Sequence, residues 1–250
     1  MVGLDIGVET QTPKREFDFY HTPVYPVADA ARYLRIPAPT LRSWLQGRSY
    51  RTPQGLKKAS SPLIERPDAN LPYLSFTNLV EAHVLRIIRE THQIRLDKVR
   101  QALDYMAQQL KTDHPLVMKQ FQTDGVDLFV EQMAENQENA LVNISRGGQF
   151  AMREVLNQLL TRIEWNAEGI ASRFFPITDI FADAKSDRTI VIDPSIRFGK
   201  PMISGKGIPT NAIVNLYNAG DSVNDIAEEF GCTSEQIREA IRFESLLLAA

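Results

Sequence analysis

The chain has 250 residues, 43% of them hydrophobic and 24% charged, with a formal net charge of −3. That length supports two or three small domains with modest cores, and the weak acidity excludes a protein that grips phosphate through bulk charge. A single cysteine, Cys232, excludes an internal disulfide framework and a cysteine-built zinc site.

No stretch reaches the apolar length of a membrane span, and the opening residues MVGLDIGVETQTPKREF lack the apolar core of a signal peptide. A cytoplasmic protein is therefore expected, with residues 1–19 as an N-terminal tail. The first regular pattern is Tyr25 to Leu45. Val27, Ala30, Ala31 and Leu34 recur at helical spacing, Ile36-Pro37 interrupts, and Leu41, Trp44 and Leu45 begin a second helix with Pro39 in its first turn. Two short helices joined by a tight turn form the unit that lays a helix into the major groove of DNA, although ordinary helical hairpins share the pattern. Thr40, Arg42 and Ser43 remain on the outer side of the second helix, and their types meet phosphates and base edges. From Tyr20 to Ser60 the cations are Arg32, Arg35, Arg42, Arg48, Arg51, Lys57 and Lys58, against Asp29 alone. The cationic character is local, which suits DNA binding by one face.

Gln46 to Pro72 is rich in Gly and Pro and reads as loop or short hairpin, a wing carrying Arg48, Arg51, Lys57 and Lys58. Ser75 caps a helix through Leu79, Val80, Val84, Leu85 and Ile88. In the next helix Leu96, Val99, Leu103, Met106 and Leu110 form a stripe that either packs on its own domain or pairs with a second copy. The segment 20–112 is thus one expected winged helix-turn-helix domain.

For 113–182 the expectation is a small α+β unit. Leu116 to Gln122 and Val126 to Glu131 flank Thr123-Asp124-Gly125, which predicts a hairpin. Leu141 to Ile144 reads as a third strand broken by Arg146-Gly147-Gly148. Phe150 to Trp165 follows as an amphipathic helix and Ile170 to Phe175 as a strand. No set of acids, bases or nucleophiles lines a cleft there, so catalytic residues are not expected, and His21, His83, His92 and His114 show no metal-ligand spacing.

The segment 183–250 predicts a compact C-terminal domain: strand Thr189 to Ile192, a turn at Asp193-Pro194, a glycine loop from Phe198 to Thr210, and three helices. These helices are Asn211 to Asn218, Ser222 to Phe230 and Thr233 to Phe243, with Ser222 and Thr233 as N-caps and Gly220 and Gly231 as stops. The glycine loop lacks the spacing of a nucleotide site and reads first as a structural turn. The last two helices also spell a helix-turn-helix. From Asp221 to Ala250, however, Asp221, Asp225, Glu228, Glu229, Glu235, Glu239 and Glu244 stand against only Arg238 and Arg242, a sign that repels phosphate and suits protein contact.

Two resemblances rest on these residues. Between Tyr25 and Trp44 the pattern Y-x-V-x-x-A-A-x-Y-L-x-I-x-x-x-T-L-R-x-W resembles a winged helix-turn-helix of the MerR type. It departs in having Ala38 where a hydroxyl residue caps the recognition helix, and in lacking an effector domain of the MerR kind. From Ile190 to Pro209 the pattern I-x-x-D-P-x-x-x-x-G-K-P-x-I-x-G-x-x-I-P resembles a widespread bacterial domain of unknown function. The combination resembles VapB-type antitoxins that pair with PIN-like toxins.

The resemblance implies an α+β, mostly helical chain that is not an enzyme. It would bind operator DNA as a homodimeric autorepressor and neutralise a PIN-like ribonuclease, without a cofactor, a metal or a membrane. Such a nuclease holds Mg²⁺ with clustered carboxylates, and an antitoxin can block access to them or place a cation among them. Lys206, Arg238, Arg242, Leu246 and Leu247 are the candidate partner contacts. The rival reading is a stand-alone winged-helix regulator whose C-terminal domain dimerises.

Overall fold

The computed structural model describes residues 17–51, 55, 57–92, 96–135, 146–176 and 188–248. Strand β1 (Tyr25–Pro26) runs directly into α1 (Val27–Tyr33), and α2 (Ala38–Gln46) follows after a left-handed residue, Arg35, with φ 52°. The Ile36 N–H returns to the Ala31 carbonyl at 2.9 Å, closing the end of α1 without a glycine. Pro37 occupies the cap position of α2 and Ala38 is its first helical residue, so the cap expected at Ala38 lies one residue earlier. Strands β2 (Arg48–Arg51) and β3 (Lys57–Ser60) pair antiparallel, with Arg51 opposite Lys57 and Tyr50 opposite Lys58, so the expected wing is a hairpin. Strand β4 (Tyr73–Leu74) returns to pair with β1, Tyr25 opposite Leu74.

Helix α3 (Phe76–His92) begins with a reciprocal cap: the Ser75 hydroxyl accepts from the Asn78 N–H at 3.2 Å, and the Asn78 side chain accepts from the Ser75 N–H at 3.3 Å. In α4 (Leu96–Leu110), Val99, Ala102 and Met106 are buried, with Leu96, Leu103 and Leu110 packed on the same core. Within the chain the stripe packs against α5 (Val126–Glu135), with Leu96, Leu103 and Leu110 only partly buried.

The expected hairpin around Asp124-Gly125 is absent: apart from an extended Met118, which bridges to Ile170, the segment is helical. A short 3-10 turn at Pro115–Val117 and a π turn at Phe121–Gly125 lead into α5. The buried residues Val126, Phe129 and Val130 are three and four apart, which suits a helix and not an alternating strand. Gly125 serves close packing and not a turn. A Cβ placed on it would lie 2.9 Å from Cδ2 of Phe121 and 3.0 Å from Cε of Met106.

The third expected strand, Leu141 to Ile144, lies outside the described residues. Arg146-Gly147-Gly148 opens α6 (Arg146–Leu160), which ends before Ile163. Ile163 belongs to β5 (Ile163–Trp165), paired with β6 (Ala171–Phe174). One continuous apolar cluster joins these elements to α1, α2 and α3.

The C-terminal part follows the expected order: β7 (Ile190–Val191), β8 (Met202–Ile203) and β9 (Ile208–Pro209) form one antiparallel sheet, followed by α7 (Thr210–Ala219), α8 (Val223–Phe230) and α9 (Ser234–Leu248). Ser222 caps α8, Thr233 and Gln236 bond reciprocally at the start of α9, and Gly220 and Gly231 end their helices with left-handed backbone. Ile203, Ile213, Ile226, Ile237 and Phe243 are buried between sheet and helices. Two backbone hydrogen bonds between Phe174 and Ile192, 2.8 and 3.0 Å, join this part to β6, and the Tyr33 and Phe243 rings stack across the same junction. The fold is α+β and mostly helical.

His83 of α3 is 2% exposed, its ring 4.6 Å from that of Phe174. Burial, reinforced by the nearby Arg86 and Arg162 cations, pushes its imidazole down to about 3. The unfolded histidine titrates near 6.5. Between these values only the unfolded chain takes up the proton, so stability is complete above about pH 6.5 and falls on acidification by up to about 1.4 kcal/mol per unit. Denaturant unfolding between pH 5 and 6.5 should show this slope and show it flattened in His83→Phe. An equal slope in the variant would place the acid sensitivity elsewhere.

Candidate nucleic-acid interface

Helix α2 is anchored by one face. Leu41, Trp44 and Leu45 are at most 3% exposed, each such burial contributing about 1.5–3 kcal/mol. The Trp44 carbonyl also accepts from the Leu63 N–H at 2.7 Å, which ties the end of α2 to the segment beyond the wing. Opposite this face, Arg42 is exposed, and Thr40 and Ser43 are partly exposed. The Ser43 hydroxyl donates to the Thr40 carbonyl at 2.7 Å, one turn back along the helix. Of the three candidates on this helix, Arg42 therefore projects furthest toward solvent. Helix α1 is held against α3 by Arg86, whose guanidinium donates to the Leu34 carbonyl at 2.6 Å. The pair α1–α2 is thus fixed on a rigid helix, which suits presentation of one side chain to a groove.

The wing strands place positions 48, 51, 57 and 58 on the hairpin that follows α2 in the chain. The side chains of Arg48, Arg51, Lys57 and Lys58 lie outside the described residues.

Arg42 also borders a concavity of about 250 Å³ together with Arg66 and Tyr73. Arg66 donates to the carbonyls of Leu71 and Ala69, the latter at 2.7 Å, and holds the turn at 68–72 in place. Tyr73 is 37% exposed and Leu71 42%. No motif or spacing singles out Arg66 and Tyr73, because only the pairing of β4 with β1 brings them beside α2.

The C-terminal candidates are spread over two elements. The Lys206 ammonium donates to the Gly231 carbonyl at 2.6 Å, closing the C-terminal end of α8. Arg238 is exposed, 3.8 Å from Glu235, and Arg242 pairs with Glu239, one turn earlier on α9. The side chains of Leu246 and Leu247 lie outside the described residues. Among the described residues no group of three or more His, Cys, Asp or Glu could hold a metal ion, and no helix is long and apolar enough to cross a membrane.

Comparison with known proteins finds two matched segments. Residues 23–103 match the family described as "Putative DNA-binding HTH domain", and residues 190–243 match the family described as "Protein of unknown function (DUF433)". The chain is 26% identical over 232 residues to "Putative antitoxin VapB45" of Mycobacterium tuberculosis (strain ATCC 25618 / H37Rv), covering 89% of this chain and 94% of that protein. It is 24% identical over 230 residues to "Uncharacterized protein Rv2308" of the same strain, covering 88% and 89%. The crystal structure of Rv2018 from Mycobacterium tuberculosis superposes with a TM-score of 0.63 at 22% identity, over 89% of this chain and 99% of that one. The fold is shared along nearly the whole length. The resemblance to a VapB-type antitoxin with an N-terminal helix-turn-helix and a C-terminal domain of unknown function is found again in these matches.

Proposed function

We propose that this chain is a non-enzymatic antitoxin and autorepressor. In this reading residues 20–112 bind operator DNA through α2 and the β2–β3 wing. Residues 183–250 neutralise a PIN-like ribonuclease, and two copies act together on the operator. The observation that carries the DNA half is a helix sealed to its core by Leu41, Trp44 and Leu45 that leaves Arg42 exposed in a cation-rich segment. Similarity to a protein named an antitoxin supports the other half. The acidic helices α8 and α9 suit contact with protein and repel a phosphate backbone.

The test is co-expression with the PIN-like frame beside its gene, the tag placed on the neighbour. The chain should be retained, should abolish the neighbour's nuclease activity in Mg²⁺, and should shift promoter DNA in a salt-sensitive manner. A chain that shifts promoter DNA but retains no such neighbour is a stand-alone regulator whose C-terminal part dimerises. A chain that does neither ends the reading.

A further inference from the structure

Between Asp193 and β8 the backbone enters a conformation that ordinary residues avoid. Arg197 (φ 49°), Phe198 (φ 55°) and Gly199 (φ 70°) are consecutive and left-handed. For a bulky side chain this is an outlier, and such strain persists only where the surroundings impose it. They do so from both sides. Asp193 holds the entrance through the N–H of Ser195 at 2.9 Å, and the Arg197 Nε donates to the Gly207 carbonyl at 3.0 Å. Below, Gly199 lies so close to the Tyr25 hydroxyl that a Cβ there would force the phenol or the loop to move.

The result of this strain is display. Phe198 is 69% exposed, the largest value among the exposed large hydrophobic residues described, and Ile196 beside it is 40% exposed. A chain gains no stability by holding phenylalanine in water on a strained turn. An exposed aromatic on a rigid support is the usual form of a binding anchor. The surrounding charge selects the occupant: from Pro194 to Gly220 the chain carries Arg197, Lys200 and Lys206 and no Asp or Glu. An apolar tip flanked in the chain by the exposed Arg197 and Lys200 fits an apolar socket rimmed by carboxylates, and a PIN-like nuclease must cluster carboxylates to hold Mg²⁺.

We propose that the left-handed turn at Ile196–Gly199 is the anchor that seats this chain on its ribonuclease partner, with Phe198 entering a socket beside the metal-holding carboxylates. The proposal rests on the toxin reading above and centres the contact on the glycine loop that also carries Lys206, and not on α9, where Arg238 and Arg242 face acids on their own helix.

The backbone supplies an unusual control. Glycine accepts φ 55° without strain, so Phe198→Gly removes the anchor while relieving the turn. The full chain, Phe198→Gly and Ile196→Ser are each titrated against the purified PIN-like neighbour and against a labelled single-stranded oligonucleotide. The expected result is a Kd for the neighbour raised at least tenfold in Phe198→Gly, with a melting temperature equal to or above the parent's, and a smaller loss in Ile196→Ser. Unchanged affinity in both variants overturns the proposal while leaving the toxin reading intact. A parent chain that does not bind the neighbour overturns both. Loss confined to the oligonucleotide also overturns it, in favour of an aromatic stacking platform for nucleic acid.

Discussion

Gly199→Ala is expected to lower the free energy of unfolding by about 3 kcal/mol, a large effect for the addition of one methyl group. Two costs combine. A non-glycine residue at φ 70° loses about 1–2 kcal/mol against the left-handed conformation. The new Cβ would lie 1.7 Å from the Tyr25 hydroxyl oxygen and 2.7 Å from Cζ, so phenol or loop must move, an overpacking cost of about 1–3 kcal/mol. Tyr25 begins the segment that enters α1, so the displaced ring presses on the helix-turn-helix from below. The Tyr25 hydroxyl is buried and has no hydrogen-bond partner among the described residues. Tyr25→Phe alone should therefore be neutral or stabilising. Tyr25→Phe should also recover about 1 kcal/mol or more when combined with Gly199→Ala, because it removes the nearer clash and leaves the backbone cost. Urea denaturation of the four chains gives the coupling directly. Additive effects, or a Gly199→Ala midpoint equal to the parent's, would mean that the turn does not rest on Tyr25.

The closeness of Gly199 to Tyr25 shows where the sequence stops being readable. Caps and stops are local chemistry, and Ser75, Ser222, Thr233 with Gln236, Gly220 and Gly231 act where their spacing places them. Helical periodicity likewise separates Leu41, Trp44 and Leu45 from the outward Thr40, Arg42 and Ser43, so the central part of the candidate interface is legible without coordinates. Glycine is the ambiguous letter. At Gly125 it looks like a hairpin turn, yet it admits the Phe121 and Met106 side chains between helices, a reason that lies partly in a distant segment. Gly199 belongs to a recognisable pattern, but the side chain that demands it is on β1. Arg66 and Tyr73 join Arg42 only because β4 pairs with β1. Phe198 reads as an ordinary loop residue, since neither its exposure nor its left-handed backbone is written in its neighbours.

Arg42→Ala should weaken operator binding by about 1–3 kcal/mol if the guanidinium reads a base edge in the major groove. The geometry favours this residue over its neighbours: Arg42 is exposed on the outer face of α2, whereas the Ser43 hydroxyl is turned back to the Thr40 carbonyl. Base reading and phosphate binding are separable by salt. If Arg42 neutralises a phosphate, its removal lowers the slope of log K against log salt by about 0.9 and weakens all sequences alike. If Arg42 reads a base, its removal changes the slope less and reduces the preference for operator over scrambled duplex. Fluorescence anisotropy of both duplexes at several salt concentrations distinguishes the two. Arg66→Ala is the informative companion, because Arg66 holds the 68–72 turn through backbone carbonyls and borders the same concavity. Its removal should weaken operator binding less than removal of Arg42, without changing which base pairs matter. Arg238, on the acidic and opposite part of the chain's charge distribution, should be silent in this assay. Equal operator affinity of Arg42→Ala and parent at matched salt would remove α2 from the groove, and with it the physical basis for operator recognition by this face.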